Sequence, residues 1–371
     1  MADEKAKPRV LVFGGTGFVG RHLTTHLVEN DLASKIRIVD KVPPAMAWLN
    51  DKHKAAFGDA RVEFKSANLS SSASVTRSFE DESGGYDYVV CLAAETKFGQ
   101  AEAVYKERVF NVTINCAKES AKRNVKRFVE VSTGRVYSPS KPKARKEDGK
   151  IEPWTPVASE KRKAEIELGK IDGLNHVILR PAVIYGTGDR LGITPRLVIG
   201  SVYRELKETM KLLWGKELKI NTVHVSDVCR AIWHLTQNGP SGEVYNVVDK
   251  ANTDQGRISS LVSEIFKINH DFFGTLASSL AKLSLSNIQE DSNDKHLDPW
   301  SKACTRDNVA TTPLSPYLDK ELLANKHLCI DGSKIEGTGF EYKVREPTVA
   351  LFREIVDDYV KLGLFPPSLV P

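Results

Sequence analysis

The stretch Arg9-Val10-Leu11-Val12-Phe13-Gly14-Gly15-Thr16-Gly17-Phe18-Val19-Gly20 decides how this chain folds. Its first five residues are an apolar, β-rich run of the kind that parallel sheets bury on both faces. Gly14, Gly17 and Gly20 follow at regular spacing, and Val19, Leu23 and Leu27 then recur at helical intervals. A strand that turns through glycines into a helix is built to receive a phosphate. Gly14 permits the tight turn, Gly17 admits close backbone approach, and Gly20 lets the helix pack on the strand. Thr16, Phe18 and Val19 complete the loop. Asp40 closes the next strand, 20 residues past Gly20, where a carboxylate accepts hydrogen bonds from both hydroxyls of an adenosine ribose. The same carboxylate repels a 2′-phosphate, which points to NAD; nearby Lys41 and Arg21 keep NADP open.

Working outward, Ile36–Val39, Val62–Phe64, Tyr88–Leu92, Arg127–Val131 and His176–Leu179 read as further strands, with helical patterns between them. Such alternation predicts a doubly wound parallel α/β sheet, a Rossmann fold, over residues 1–186. Thr222–Val225 and Tyr245–Val248, in a segment spanning 222–249, look like strands returning to the sheet or its rim. Residues 187–221 and 250–371 read as helix and loop. They predict a smaller C-terminal substrate lobe over the carboxyl edge of the strands, where open α/β sheets place ligands.

Composition narrows the classes. At 371 residues and 41% hydrophobic, the chain is long enough for a core that needs no disulfide or metal. Its five cysteines lack metal-ligand spacing, so no metal is expected, and a reducing, cytoplasmic setting is. No apolar run reaches the roughly 18 residues of a membrane span. The polar N-terminus carries no signal core, which makes the sequons at Asn68 and Asn111 chance matches. The net charge of +5 is diffuse, and the basic run Lys141–Lys146 has no interleaved aromatics, so no nucleic-acid partner is expected.

Several motifs together resemble the extended short-chain dehydrogenase/reductases, the NAD-dependent epimerase/dehydratases. They are the Gly14-x-x-Gly17-x-x-Gly20 spacing, Leu92-Ala93-Ala94-Glu95, Val131-Ser132-Thr133-Gly134-Arg135-Val136-Tyr137, Leu179-Arg180-Pro181-Ala182-Val183-Ile184-Tyr185-Gly186 and Val223-His224-Val225-Ser226-Asp227. The resemblance implies that Asn68 and Leu69 lie beside the adenine, that Ala93 and Ala94 line the nicotinamide-side ribose, and that Pro181 also borders the cofactor. It implies that Thr133 hydrogen-bonds the reacting substrate oxygen and that Lys161 holds the nicotinamide ribose.

The chain departs from the family where proton transfer happens. The family's tyrosine stands four residues before its lysine; here that position is Val157, which has no proton to give. A positioned acid/base is worth about 10²–10⁴-fold in rate. Glu160 and Glu95 are candidate substitutes, the first one helical turn from Val157 and the second beside the nicotinamide position; Tyr317 and His296 are more remote ones. Gly134-Arg135 replaces the acidic pair of sugar-nucleotide dehydratases, and Arg-Pro-x-x-Ile-Tyr-Gly is similar to the 3β-hydroxysteroid dehydrogenase branch. A small, rather apolar, ring-containing substrate is therefore expected. Phe272, Phe273, Leu276, Leu280 and Leu283 read as one helical face that packs on the core or lines that pocket. The readings left are an NAD(P)-dependent oxidoreductase or isomerase, a cofactor-assisted non-redox isomerase, or a silent cofactor-binding sensor or scaffold. A homodimer stays open.

Overall fold

The computed structural model of the chain describes residues 6–281 and 285–371. Among these, eleven strands occur: β1 (Arg9–Phe13), β2 (Lys35–Asp40), β3 (Val62–Ser66), β4 (Tyr88–Cys91), β5 (Arg127–Val131), β6 (His176–Pro181), β7 (Val183–Tyr185), β8 (Met210–Leu212), β9 (Thr222–His224), β10 (Val244–Val247) and β11 (His270–Phe272). Seven of them form one sheet in the order β10-β6-β5-β4-β1-β2-β3, every pair parallel. The order reverses between β1 and β4, and the crevice at their carboxyl ends is the place such sheets reserve for ligands.

The pattern of β1 explains its central position. Val10 and Val12 face a core layer with Leu23, Leu27, Val228 and Ile232, whereas Leu11 and Phe13 face the opposite layer with Val75, Phe79, Cys116 and Ala117. Both faces are covered, so both sets of side chains are apolar and no alternation survives in the sequence.

The expected strands are all present. Thr222–His224 does not join the main sheet; it pairs with Val183–Tyr185 in a two-stranded rim, while Val244–Val247 adds to the sheet's edge along β6. The segments after Gly186 build a second layer from the helices Thr194–Leu206, Gln255–Phe266 and Leu285–Arg306. It is tied down at Asn221, whose Nδ2 donates to Thr253 O and whose Oδ1 accepts from Ile330 N. No helix among the described residues is long and apolar enough to cross a membrane.

One expected element is absent. His270–Phe272 is a strand paired with Met210–Leu212, not part of a helix, and Gly274, at φ +77, opens a separate helix, Gly274–Ala281. Phe273 and Leu276 are 52% and 81% exposed. Those two form no core face, and Leu283 and the side chain of Leu280 lie outside what the structure describes.

Candidate functional site

The glycine loop has the shape its spacing predicts. Gly14 sits at φ +78, and a Cβ there would lie 2.6 Å from the Ala93 nitrogen. At Gly20 a Cβ would meet Gly14 O at 2.4 Å and Gly15 Cα at 2.5 Å. Close contact between strand end and helix start therefore requires glycine at both positions. Gly17 caps the helix Phe18–Glu29 without a side-chain hydrogen bond. Its first amides are left for an incoming anion, and the helix dipole favours one there. Thr16 is buried, while Phe18 and Val19 are half-buried at the mouth.

Asp40 ends β2 against this loop, accepting from Thr16 N at 3.3 Å and Val42 N at 3.1 Å. Lys41 is exposed and forms no ion pair among the described residues. Arg21 is buried and directed elsewhere: its guanidinium donates to the carbonyls of Gly17, Trp48, Thr16 and Ala47 at 2.8–3.2 Å. With no carboxylate bonded to it, burial pulls its ionisation down to about 10. Those donors are spent, so Arg21 does not offer itself to a 2′-phosphate. An uncapped helix start, a cradle that Cβ atoms would fill and a carboxylate at the ribose position together fit a dinucleotide.

Beyond β3, Asn68 is exposed and turns its Oδ1 to Ser70 N, and Leu69 is buried under the sheet. Ala93 and Ala94 follow β4 and are half-buried, Ala93 directly beside Gly14. Glu95 comes next; its carboxylate accepts from Lys97 N at 3.2 Å and faces Arg108 at 3.4 Å. Arg108 belongs to Lys106–Asn111, a π-helical insertion between Glu102–Tyr105 and the helix Val112–Lys122, and such insertions often mark functional sites.

The reaction end is built by β5 and the helix Pro156–Leu168. Thr133 leaves β5 half-exposed, and its hydroxyl oxygen accepts from Arg135 N at 3.2 Å, capping a short 3-10 turn. Thr155 caps the helix by accepting from Ala158 N. Val157, in the first turn, is half-buried, and Lys161, one turn on, is 4% exposed. Lys161 Nζ donates to Glu130 Oε1 at 2.6 Å. Burial pulls its ammonium down, but Glu130 more than offsets this and holds it above the usual lysine range.

Glu160 is the i,i+3 neighbour of Val157. Its carboxylate pairs with Lys163 and, with Lys106 and Phe110, lines a pocket of about 430 Å³. His296 is 3% exposed, edge-on to Tyr203, and lowered to about 4 by burial, so it belongs to the core. Tyr317 is exposed, and its hydroxyl accepts from Gln289.

Sequence reasoning missed a charge network beside Thr133. Arg180 donates twice to Glu165, at 3.0 and 2.7 Å, and once to the Tyr137 hydroxyl at 2.7 Å. Tyr137 donates onward to Asn246 Oδ1, and Ser132 Oγ donates to Glu165 at 2.6 Å. Burial pushes Tyr137 up to about 12, so it is a poor acid at neutral pH. No cluster of His, Cys, Asp or Glu suited to a metal occurs among the described residues.

Comparison with known proteins agrees with this geometry. Residues 10–248 match the NAD dependent epimerase/dehydratase family. A human dTDP-D-glucose 4,6-dehydratase is 28% identical over 250 residues, 64% of this chain and 68% of that protein. A Stigmatella aurantiaca 4-hydroxy-2-methyl-3-oxo-4-farnesyl-3,4-dihydroquinoline-1-oxide ketoreductase is 24% identical over 276 residues, 69% and 72% of the two chains. Among solved structures, a dTDP-glucose 4,6-dehydratase from Streptomyces venezuelae with NAD bound superposes at TM-score 0.70 and 18% identity, covering 95% of this chain and 97% of its own. A UDP-N-acetylglucosamine 4-epimerase from Methanobrevibacter ruminantium does so at 0.69 and 17% identity, covering 96% and 99%.

Proposed function

The chain belongs to the NAD dependent epimerase/dehydratase family, and from that premise we propose that it is an NAD-dependent oxidoreductase or isomerase acting on a small, rather apolar hydroxy or keto compound. The observation that carries the reading is the pairing of an intact cofactor cradle with Thr133, just past the end of β5, and Lys161, on the helix Pro156–Leu168 behind it. Gly14, Thr16, Gly17, Phe18, Val19 and Gly20 would hold the pyrophosphate, Asp40 the adenosine ribose, and Asn68 and Leu69 the adenine. Lys41 would lie at the rim, while Ala93, Ala94, Pro181 and Lys161 would border the nicotinamide half. When bound, NAD supplies the hydride acceptor. Thr133 keeps a hydroxyl hydrogen to donate to the substrate oxygen. Of the two candidate carboxylates, Glu95 faces Arg108 and Glu160 pairs with Lys163. An apolar ring substrate is supported by Gly134-Arg135 in place of an acidic pair, and by the Stigmatella aurantiaca relative, by its name a ketoreductase of a farnesyl-bearing ring compound.

A second reading, a cofactor-binding protein without turnover, is favoured by Val157, which offers no proton donor beside Lys161. Val157→Tyr separates the two. If the pocket is open, the variant melts like the unmutated protein and forms NADH with hydroxylated ring compounds at least tenfold faster. A site that has closed over valine would instead lose about 1–3 kcal/mol through overpacking and show no turnover. That outcome, with an inert unmutated protein, would end the oxidoreductase reading.

A further inference from the structure

Behind Lys161 lies a carboxylate that none of the motifs calls for. Glu130 is the fourth residue of β5 and is fully enclosed. Its Oε1 accepts from Lys161 Nζ at 2.6 Å and from Thr113 Oγ1 at 3.3 Å. Its Oε2 is buried with no hydrogen-bond partner. The remaining neighbours are few. Cys91 stands beside Glu130 in register on β4 with its thiol against that carboxylate, and Cys116 approaches it from the helix Val112–Lys122; both are buried free thiols. The next charge is Glu165, one turn past Lys161, and Arg180 already neutralises it.

We propose that Glu130 is a positioning residue that holds the site's proton through Lys161, in place of the phenol that Val157 does not supply. The proposal rests on the oxidoreductase reading above. In the oxidative direction the substrate hydroxyl gives its proton to Lys161 Nζ as one of the ammonium's own protons passes to Glu130 Oε1. A bound NAD⁺ would supply the acceptor for the carbinol hydrogen and its bonding pair, which balances formation of the carbonyl bond. Reversing these movements describes the reduction. Burial raises the Glu130 carboxyl above its ordinary value, which suits a group that must take up a proton closer to neutral pH. The free Oε2 gives that proton a second place to rest without breaking the bond to Lys161.

The test needs no substrate. The unmutated protein is titrated with NAD⁺ and, separately, NADH by calorimetry between about pH 5 and pH 8. Once Glu130 is protonated, nothing compensates the Lys161 ammonium, which then opposes the cationic nicotinamide. NAD⁺ should therefore weaken relative to NADH on acidification, by up to about tenfold per pH unit. Glu130→Gln should bind NAD⁺ weakly at every pH with a flat ratio, and Glu130→Asp should restore the slope. Thermal melting checks that each variant is folded. Should Glu130→Gln not fold, the double variant Glu130→Gln/Lys161→Met, which removes both buried charges, must show the same flat ratio. A flat ratio in the unmutated protein, or a slope that survives in Glu130→Gln or in the double variant, overturns the proposal. Binding of neither form would overturn the cofactor reading, and this proposal with it.

Discussion

Two buried ion pairs leave the helix Pro156–Leu168 one turn apart, and they are built differently. Glu165 is saturated: it takes two hydrogen bonds from Arg180, one from Ser132 and one from Arg162. Arg180 spends its remaining donor group on the Tyr137 hydroxyl and the Glu147 carbonyl. This network ties β5, the helix, β6 and β10 into one unit. Lys161–Glu130 has one short contact, one long one from Thr113, and an oxygen with no partner. A fully satisfied buried network fixes geometry, whereas a partly satisfied one stores unused bonding capacity. The first pair reads as scaffold and the second as working chemistry.

The largest expected effect comes from breaking the satisfied pair. Arg180→Met should destabilise the protein by about 3–5 kcal/mol, because it strands Glu165 and unbinds Tyr137 at once. Urea unfolding measures this directly. Lys161→Met should cost less, about 1–3 kcal/mol, since Lys161 makes one strong contact and its stranded partner can take up a proton. That second loss should also depend on pH. With burial holding its folded pKa above the unfolded value, lone Glu130 keeps its proton more tightly when folded. Stability then falls as pH rises from the ordinary carboxylate range toward the folded value. Lys161→Met should accordingly look nearer to the unmutated protein at about pH 5 than at about pH 8. Equal losses in the two variants, or a pH-independent loss in Lys161→Met, would erase the distinction between the pairs.

The same contrast marks what was legible in the sequence. Local patterns gave the strand, the glycine turn, the helix and the carboxylate at Asp40, because each depends on neighbours in the chain or on one βα unit. Alternation of strands and helices gave the sheet. Glu130 was hidden because a lone charge inside Arg127–Val131 gains meaning only when Lys161, 31 positions later, folds against it. Tyr137 and Asn246 are 109 positions apart. Phe272 was misread because an apolar run cannot announce that it will pair with Met210–Leu212; long-range pairing overrode a helical pattern.

A third buried charge extends the comparison to the cofactor's other end, where the expected effect is smallest. Arg21 resembles Arg180 in having its donors occupied, here by four backbone carbonyls. It is scaffold for the glycine loop, and the proposed function gives the choice of cofactor to Asp40. That carboxylate accepts the Thr16 and Val42 amides, and on that proposal its charge would oppose a 2′-phosphate. The unmutated protein should therefore prefer NAD⁺ over NADP⁺ by at least about tenfold, or 1.4 kcal/mol. Asp40→Ala removes both functions, so NAD⁺ should weaken while NADP⁺ holds or improves, closing most of the gap. Asp40→Asn separates them in part, because its one amide oxygen can accept from Thr16 N or Val42 N but not from both, while the charge is gone. If repulsion sets the preference, calorimetry should find Asn close to Ala in the NAD⁺/NADP⁺ ratio, with a melting temperature between those of Ala and Asp. A ratio that stays with Asp in the Asn variant would mean hydrogen bonding to the ribose decides. An unmutated protein that prefers NADP⁺ would show instead that Lys41, exposed and without an ion pair among the described residues, governs the site.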